Sequence, residues 1–473
     1  MRSMKKLMTI AVSSILLAAC GGSASVSTSS PPASSPAASA PKPAASVASS
    51  AAAASAAAKP AVSASAKPAA SAGAAPTGSI KIGVIGPMTG SDSINGTEHR
   101  DGLNLYLASI NNTVAGRKIE PTFLDDQGKA DVALTKAKQA VESDHAQMLM
   151  GLSTTPSCYA VAEYAKQAQE PLMVSINCGA QYLTTDPKYQ SPLLARFTQT
   201  STATVDAAAD WAFKNGHKKV ILMSSDYGGG TETSDAFASA FISRGGSIVQ
   251  ETHPAMGTTD YGPFLAQLSP EADMLVFFGP GADSLHFGDQ YSTYASKKLP
   301  VLDVYGQVTN GPNIGTLHDK VLGITSAYVY SEGFDSPVNQ AFLKAFHDKY
   351  PGRLISGQFA QGYANMEATV AAIKAANGNV EDKQAFGQAL HSLEVDTVKG
   401  PIKLDQFNNV VQNTYVYEVV KNGSSYSQKL LDTYKGTGQF WDRTQQQIDR
   451  IKLGSHKGQW VGMTKDKVAE LQG

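Results

Sequence analysis

Between Ser79 and Asn112 the chain packs a strand, a glycine-bounded loop and a helix into SIKIGVIGPMTGSDSINGTEHRDGLNLYLASINN, and this unit restricts the fold more than any other stretch. Ile80, Ile82, Val84 and Ile85 form a β-branched run interrupted only by Lys81 and Gly83. Such a run suits a strand covered on both faces in a parallel sheet. Leu103, Tyr106, Leu107 and Ile110 then recur at i, i+3, i+4 and i+7, the apolar stripe of a helix lying on that sheet. The loop from Gly86 to Gly96 leaves the carboxyl end of the strand, where open α/β sheets bind their ligands.

The same alternation continues. Phe123-Leu124, Met148-Leu149-Met150 and Pro171 to Ser175 read as further strands, with helices through Ala133 to Val141 and Ala160 to Ala165. A second series follows at Val220 to Met223, Ser247 to Val249, Met274 to Phe278 and Pro300 to Leu302. Two helices, Gly362 to Asn377 and Lys383 to Leu393, come later. Two βα series in one chain predict an α/β fold of two Rossmann-like lobes with parallel central sheets.

Several short motifs share one resemblance. IGPMTG after the first strand, a helix ending in Ile110-Asn111-Asn112, the pair Asp125-Asp126, Ser224-Ser225-Asp226-Tyr227-Gly228 and Gly400-Pro401-Ile402-Lys403-Leu404-Asp405 together resemble the Leu/Ile/Val-type solute-binding proteins of ABC importers, the type I periplasmic binding fold. The resemblance covers about Ser79 to Val420. It implies a first crossing between lobes at Arg196-Phe197-Thr198-Gln199-Thr200 and a return over Gly323 to Tyr330. It assigns 79–198 plus 328–404 to lobe 1, and 199–327 plus 405–473 to lobe 2 and a C-terminal tail. The hinge is expected near Thr198 to Thr200, Ala327 to Tyr330 and Leu404 to Asn409. On residue pattern alone, Asp125-Asp126 reads as a solvated turn rather than a metal or acid site.

Ahead of this unit, residues 1–19 carry Arg2, Lys5 and Lys6, an apolar run from Leu7 to Leu17, and then Leu17-Ala18-Ala19-Cys20, the pattern of a secretion signal. It resembles the bacterial lipobox, which implies cleavage before Cys20, lipidation of its sulfur and an extracytoplasmic protein anchored to a bacterial membrane. Residues 20–78 are then an Ala/Ser/Pro tether with no aromatic or acidic residue, a composition that cannot bury enough surface to offset ordering entropy. As a disordered coil it would span roughly 40 Å, and extended roughly 180 Å. The whole chain has 39 basic and 40 acidic residues, yet six bases and no acid precede Ser79, leaving a mildly acidic folded part. That balance argues against a nucleic-acid partner.

Chemistry-bearing motifs are few. There is no GxxxxGK[ST], GxSxG, HExxH or CxxC, so no catalytic residue, cofactor or metal is assigned. Thr154-Thr155-Pro156-Ser157 offers two hydroxyls and a proline suited to a first helical turn, an arrangement that converges donors on an anion at the positive end of a helix dipole; helix capping by the hydroxyls is the plainer reading. The resemblance carries a ligand carboxylate onto Thr155 and the turn Asn177-Cys178-Gly179. It also places Ile94, Asn95 and Tyr227 along the cleft.

Two departures bear on the ligand. Where amino-acid binders of the family have an aromatic residue this chain has Gly281, which is expected to open space at the far end of the site. Where they have the acid for the α-ammonium it has Tyr305, with Asp303 one layer deeper. These favour an aromatic or other organic acid. A branched-chain or other amino acid, a ligand sensor without transport and an extracytoplasmic hydrolase remain the alternatives. The expected partners are the small molecule, an ABC permease and the membrane, with the protein a monomer. Cys20, Cys158 and Cys178 are the three cysteines; with Cys20 lipidated and the chain exported, a Cys158–Cys178 disulfide is expected, against two buried free thiols.

Overall fold

The computed structural model describes residues 77–473; the expected leader, Cys20 and nearly all of the tether lie outside the described residues. The first sheet runs β2 (Thr113–Val114), β3 (Arg117–Asp125), β1 (Ile80–Gly86), β4 (Met148–Gly151), β5 (Leu172–Val174) and β6 (Leu194–Arg196) in space. All its pairs are parallel except β2 with β3. The second sheet is built on β7 (Lys219–Ser224), β8 (Ser247–Thr252), β9 (Met274–Phe278), β10 (Val301–Val304) and β11 (Thr325–Tyr328), all parallel. It is extended by β12 (Glu394–Thr397), β13 (Gly400–Leu404), β14 (Val410–Asn422) and β15 (Ser425–Thr437), joined antiparallel.

Strand alternation divides each core into two layers. Ile80, Ile82 and Val84 face one cluster of lobe 1 and Ile85 the other. Val220 and Leu222 face one cluster of lobe 2, Ile221 and Met223 the other. On lobe 1 the Ser93–Ser109 and Gly357–Ala375 helices cross where Gly102 meets the Phe359 backbone and Gly362 meets that of His99. A side chain at either glycine would collide with the other helix. The second of these helices starts five residues earlier than its apolar pattern predicts, because Ser356 caps it by accepting from the Phe359 N–H at 3.0 Å.

Asp125-Asp126 is a turn device. Asp125 Oδ1 accepts from Met88 N (2.9 Å) and Thr89 N (3.2 Å), and Oδ2 from Thr89 Oγ1 (2.6 Å), clamping the loop after β1. The hairpin β12–β13 buries Ile402 and Leu404 in a lobe 1 cluster while its ladder joins β14 of the other sheet. The C-terminal segment packs on lobe 2, with Trp460 fully buried and its indole N–H donating to Asp235 Oδ1 at 2.6 Å.

Three segments cross between the lobes: Phe197 to Thr202 after β6, Val329 to Ser331 after β11, and Asp405 to Asn409 between β13 and β14. One buried hub ties the first crossing to Tyr328 at the end of β11. Gln361 Nε2 shares its two hydrogens among Thr198 Oγ1 (2.9 Å), Gln199 Oε1 (3.1 Å), Tyr328 OH (2.9 Å) and Ile176 O (3.1 Å). Lys399 Nζ donates to Phe197 O (2.9 Å), Gln361 Oε1 (3.0 Å) and Asn365 Oδ1 (3.1 Å).

Candidate functional site

The carboxyl ends of the parallel strands in both sheets face each other, and the loops leaving them form the cleft. From lobe 1 come the loop after β1, the turn into the Thr155–Ala168 helix after β4, and Ile176 to Gly179 after β5. Lobe 2 contributes Tyr227 at the start of the Gly228–Ser243 helix, Gly281 at the start of the Ala282–Tyr294 helix, and Tyr305 to Thr309 after β10.

At the first of these walls, Thr154 occupies the N-cap position of its helix, with extended backbone, but its side chain makes no cap bond. Its Oγ1 donates to Ser157 Oγ at 2.9 Å instead. Pro156 has no N–H, so the first turn presents its remaining amides without a side-chain acceptor, the arrangement that suits an anion. Thr155 is buried and its methyl lies beside Gly228 of the other lobe.

Asn95 is fully buried in the first turn of its helix, next to half-buried Ile94. Its Nδ2 donates to Asp92 Oδ1 (2.6 Å) and across the cleft to Gln307 Oε1 (3.1 Å). Asp92 also accepts from Ser153 Oγ at 2.6 Å. Burial pushes the Asp92 carboxyl up to about 6, against those two hydrogen bonds.

The turn after β5 is tied to the hinge. The Asn177 side-chain oxygen accepts from Gln199 Nε2, and the Gly179 carbonyl accepts from Ser201 N (2.9 Å) and Ser201 Oγ (3.0 Å). Cys178 is bonded to Cys158 in the structure, with Cα atoms 6.6 Å apart. Beneath the turn, buried Arg196 donates to Asn409 Oδ1 (2.6 Å) and to the Ala180 carbonyl.

Across the cleft, Tyr227 is half-buried with its ring 6.2 Å from Phe278. Tyr305 packs edge-on to the same ring at 5.1 Å, and its hydroxyl donates to Thr200 O at 3.4 Å. Burial raises both phenols well above their usual range. Asp303 has both oxygens engaged by its own lobe: Oδ1 by Gln307 N (3.1 Å), and Oδ2 by Val308 N (2.9 Å), Thr309 N (3.0 Å), Thr309 Oγ1 (3.1 Å) and Ser326 Oγ (3.0 Å). Burial pushes its carboxyl up to about 7. It shapes the loop that follows it.

Gly281 does not open space at the far end of the site. It has φ of 54°, and a Cβ there would collide with the Ser91 carbonyl and crowd Asp92. The absent side chain lets the loop after β1 dock on lobe 2, where Ala282 N donates to Ser91 O at 2.8 Å. Gln307, Asp92, Ser153 and Glu232 are cleft residues that sequence reasoning missed. Gln307 stands two positions beyond Tyr305, whose φ of 70° turns the chain so that the glutamine reaches across. Glu232 accepts from Gln181 N (3.1 Å) and Tyr159 OH (3.4 Å) of lobe 1.

Known proteins match this architecture along most of its length. The periplasmic binding protein family profile matches residues 79–424. A Leu/Ile/Val-binding protein homolog from Brucella melitensis is 28% identical over 368 residues, covering 76% of this chain and 92% of its own. Two ABC-transporter solute-binding proteins of Rhodopseudomonas palustris, each covering 76% of this chain and 98% of their own, superpose with a TM-score of 0.70. The BisB5 protein, in complex with 3,4-dihydroxybenzoic acid, is 26% identical. The HaA2 protein, in complex with p-hydroxybenzoic acid, is 28% identical. A two-lobed fold with its loops gathered on one cleft, matched by the family profile over most of the folded chain, belongs to the periplasmic binding protein family, and this chain is a solute-binding protein of an ABC transporter.

Proposed function

We propose that this protein captures an aromatic or related organic acid in the inter-lobe cleft and presents it to an ABC permease. The observation that carries the reading is the uncapped, proline-started helical turn at Thr154–Ser157, facing tyrosine walls with no basic side chain needed to hold the carboxylate. Tyr227 and Tyr305 provide flat apolar surface with polar tips, and the R. palustris neighbours carry hydroxybenzoic acids. Thr155 and the Asn177–Gly179 turn hold the carboxylate, Ile94 and Asn95 line the opposite end, and Asp303 acts through its loop.

The chain works as a lipid-anchored monomer on Cys20 and releases its ligand unchanged. Thermal-shift and calorimetric titration of benzoate, hydroxybenzoates, leucine and valine test the proposal. Micromolar or tighter binding of an aromatic acid, recovered unaltered by mass spectrometry, is expected. Tight leucine binding with no response to aromatic acids would overturn it in favour of the amino-acid reading, for which the Brucella relative's name is the support and Asp92 a buried cleft carboxylate.

A further inference from the structure

Resting on that reading, a second determinant lies at Asn95. Its carboxamide nitrogen is flanked by two acceptors, Asp92 Oδ1 and Gln307 Oε1, one from each lobe. Rotating the amide would set its oxygen against both, so the orientation is fixed. The carbonyl oxygen, Asn95 Oδ1, is then buried with no hydrogen-bond partner. Native proteins leave few such atoms, and each is unfavourable by about 1–3 kcal/mol. Other such atoms among the described residues include the His99 ring nitrogens, Asp126 Oδ2 and Ser175 Oγ on lobe 1 and Thr204 Oγ1 and Tyr261 OH on lobe 2, none of them on a side chain that bonds the opposite lobe at the cleft. Asn95 belongs to the inter-lobe layer, because its own nitrogen bonds the opposite lobe.

We propose that Asn95 Oδ1 accepts a hydrogen bond from a hydroxyl on the bound acid, and so selects hydroxylated over unsubstituted aromatic carboxylates. The surroundings fit a neutral donor. Asp92 lies against Asn95, and Asp126 and Asp283 both lie close enough to act on Asp92 or be acted on by it. A second anionic group at this end meets those carboxylates, whereas a hydroxyl satisfies the orphan acceptor. Sites built to bond a ligand hydroxyl reject the analogue lacking it, because the site's polar atom is left unpaired.

The test compares benzoate, 3- and 4-hydroxybenzoate, 4-methoxybenzoate and terephthalate by calorimetry on the mature protein, with Asn95→Leu and Gln307→Met variants. At least one hydroxybenzoate is expected to bind about tenfold or more tighter than benzoate, with the methoxy analogue no better than benzoate and terephthalate weakest. Asn95→Leu should erase the ratio. Gln307→Met, which removes the cross-lobe acceptor but keeps Asn95 Oδ1, should weaken both ligands while the ratio persists. Equal binding of benzoate and every hydroxybenzoate by the unmodified protein would overturn this inference and leave the aromatic-acid reading standing. An unchanged ratio in a folded Asn95→Leu protein would also overturn it. Binding of no aromatic acid at all would sink both.

Discussion

The two places where the lobes meet are built differently. At the hinge, Gln361 and Lys399 make seven donor contacts between 2.9 and 3.1 Å, linking the first crossing to the end of β11 and to the Lys399 segment, and both side chains are fully buried. At the rim, the contacts are a few reaching bonds: Ala282 N to Ser91 O, Asn95 to Gln307, and Glu232 to Gln181 and Tyr159. A buried network with its groups satisfied fixes one arrangement, and breaking it leaves unpaired polar atoms away from water. Rim groups exchange protein partners for water on opening, at little net change per bond. The hinge is therefore the pivot that keeps its bonds, and the rim is the part that lets go.

Removing the pivot's charge should have the largest effect. Lys399→Met leaves Phe197 O and Asn365 Oδ1 without this donor in a region closed to solvent, and Gln361 Oε1 with only the long bond from Asn365 Nδ2 (3.4 Å). A loss of about 3 kcal/mol or more in urea unfolding is expected. Unchanged stability would show that the hub is not what holds the crossings.

The disulfide joins the two regions. It ties the helix that starts at Thr155 to the turn whose Gly179 carbonyl meets Ser201 of the first crossing. With the cysteines at a sequence separation of 20, Cys158→Ser with Cys178→Ser should lower stability by about 3 kcal/mol in the chain-entropy model. Two titratable thiols in unreduced, denatured protein would remove the bridge from the argument.

A change at the rim should separate binding from stability. Gly281→Ala puts a methyl against the Ser91 carbonyl and asks alanine to hold a φ of 54°. Loss of the Ala282–Ser91 bond and of the Gln307 contacts should weaken ligand binding by about 10- to 100-fold, at roughly 1 kcal/mol per hydrogen bond, with unfolding shifted by only about 1 kcal/mol. Loss of fold stability equal to the loss of affinity would erase the distinction between pivot and rim.

The sequence made the βα units legible because each carries its own period, β-branched runs for strands and a 3.6-residue stripe for helices. It exposed the Thr154–Ser157 turn because that chemistry is local. Gln361, Lys399 and Gln307 were not legible. Gln361 sits in an apolar helix and Lys399 in a hairpin turn, and only the crossing of the chain brings them together. The resemblance sets Tyr305 at the position of the family's cleft acid and strand alternation sets Asp303 one layer deeper, but the positive φ at Tyr305 ends that alternation. Gly281 was read as empty space because what fills it comes from the other lobe.

The smallest effect expected is a proton one, and its sign follows from which lobe Glu232 faces. In the contact with lobe 1 the carboxyl is buried, which pushes it up to about 7 against the lowering influence of its bonds to Gln181 and Ser201 and of Arg196. An opening that carries it into water would return it toward the ordinary value of 4.5. The closed form therefore holds a proton that the open form releases between those two values. Closure, and ligand affinity with it, is fully supported below about 4.5 and loses this support as the pH rises through about 7. Asp92, raised to about 6, adds in the same direction. Between pH 6 and 8 an aromatic carboxylate stays ionised, so the ligand's own titration does not intrude, and Glu232 should lower affinity by about tenfold across that range, the one pH unit that separates its closed-form value from the lower limit. Glu232→Gln keeps an acceptor for Gln181 N and cannot titrate; it should flatten most of the slope and leave the part due to Asp92. Calorimetric titration in buffers of different ionisation enthalpy would count the proton directly. Proton release on binding, or a slope unaffected by Glu232→Gln, would show that the rim closes without Glu232.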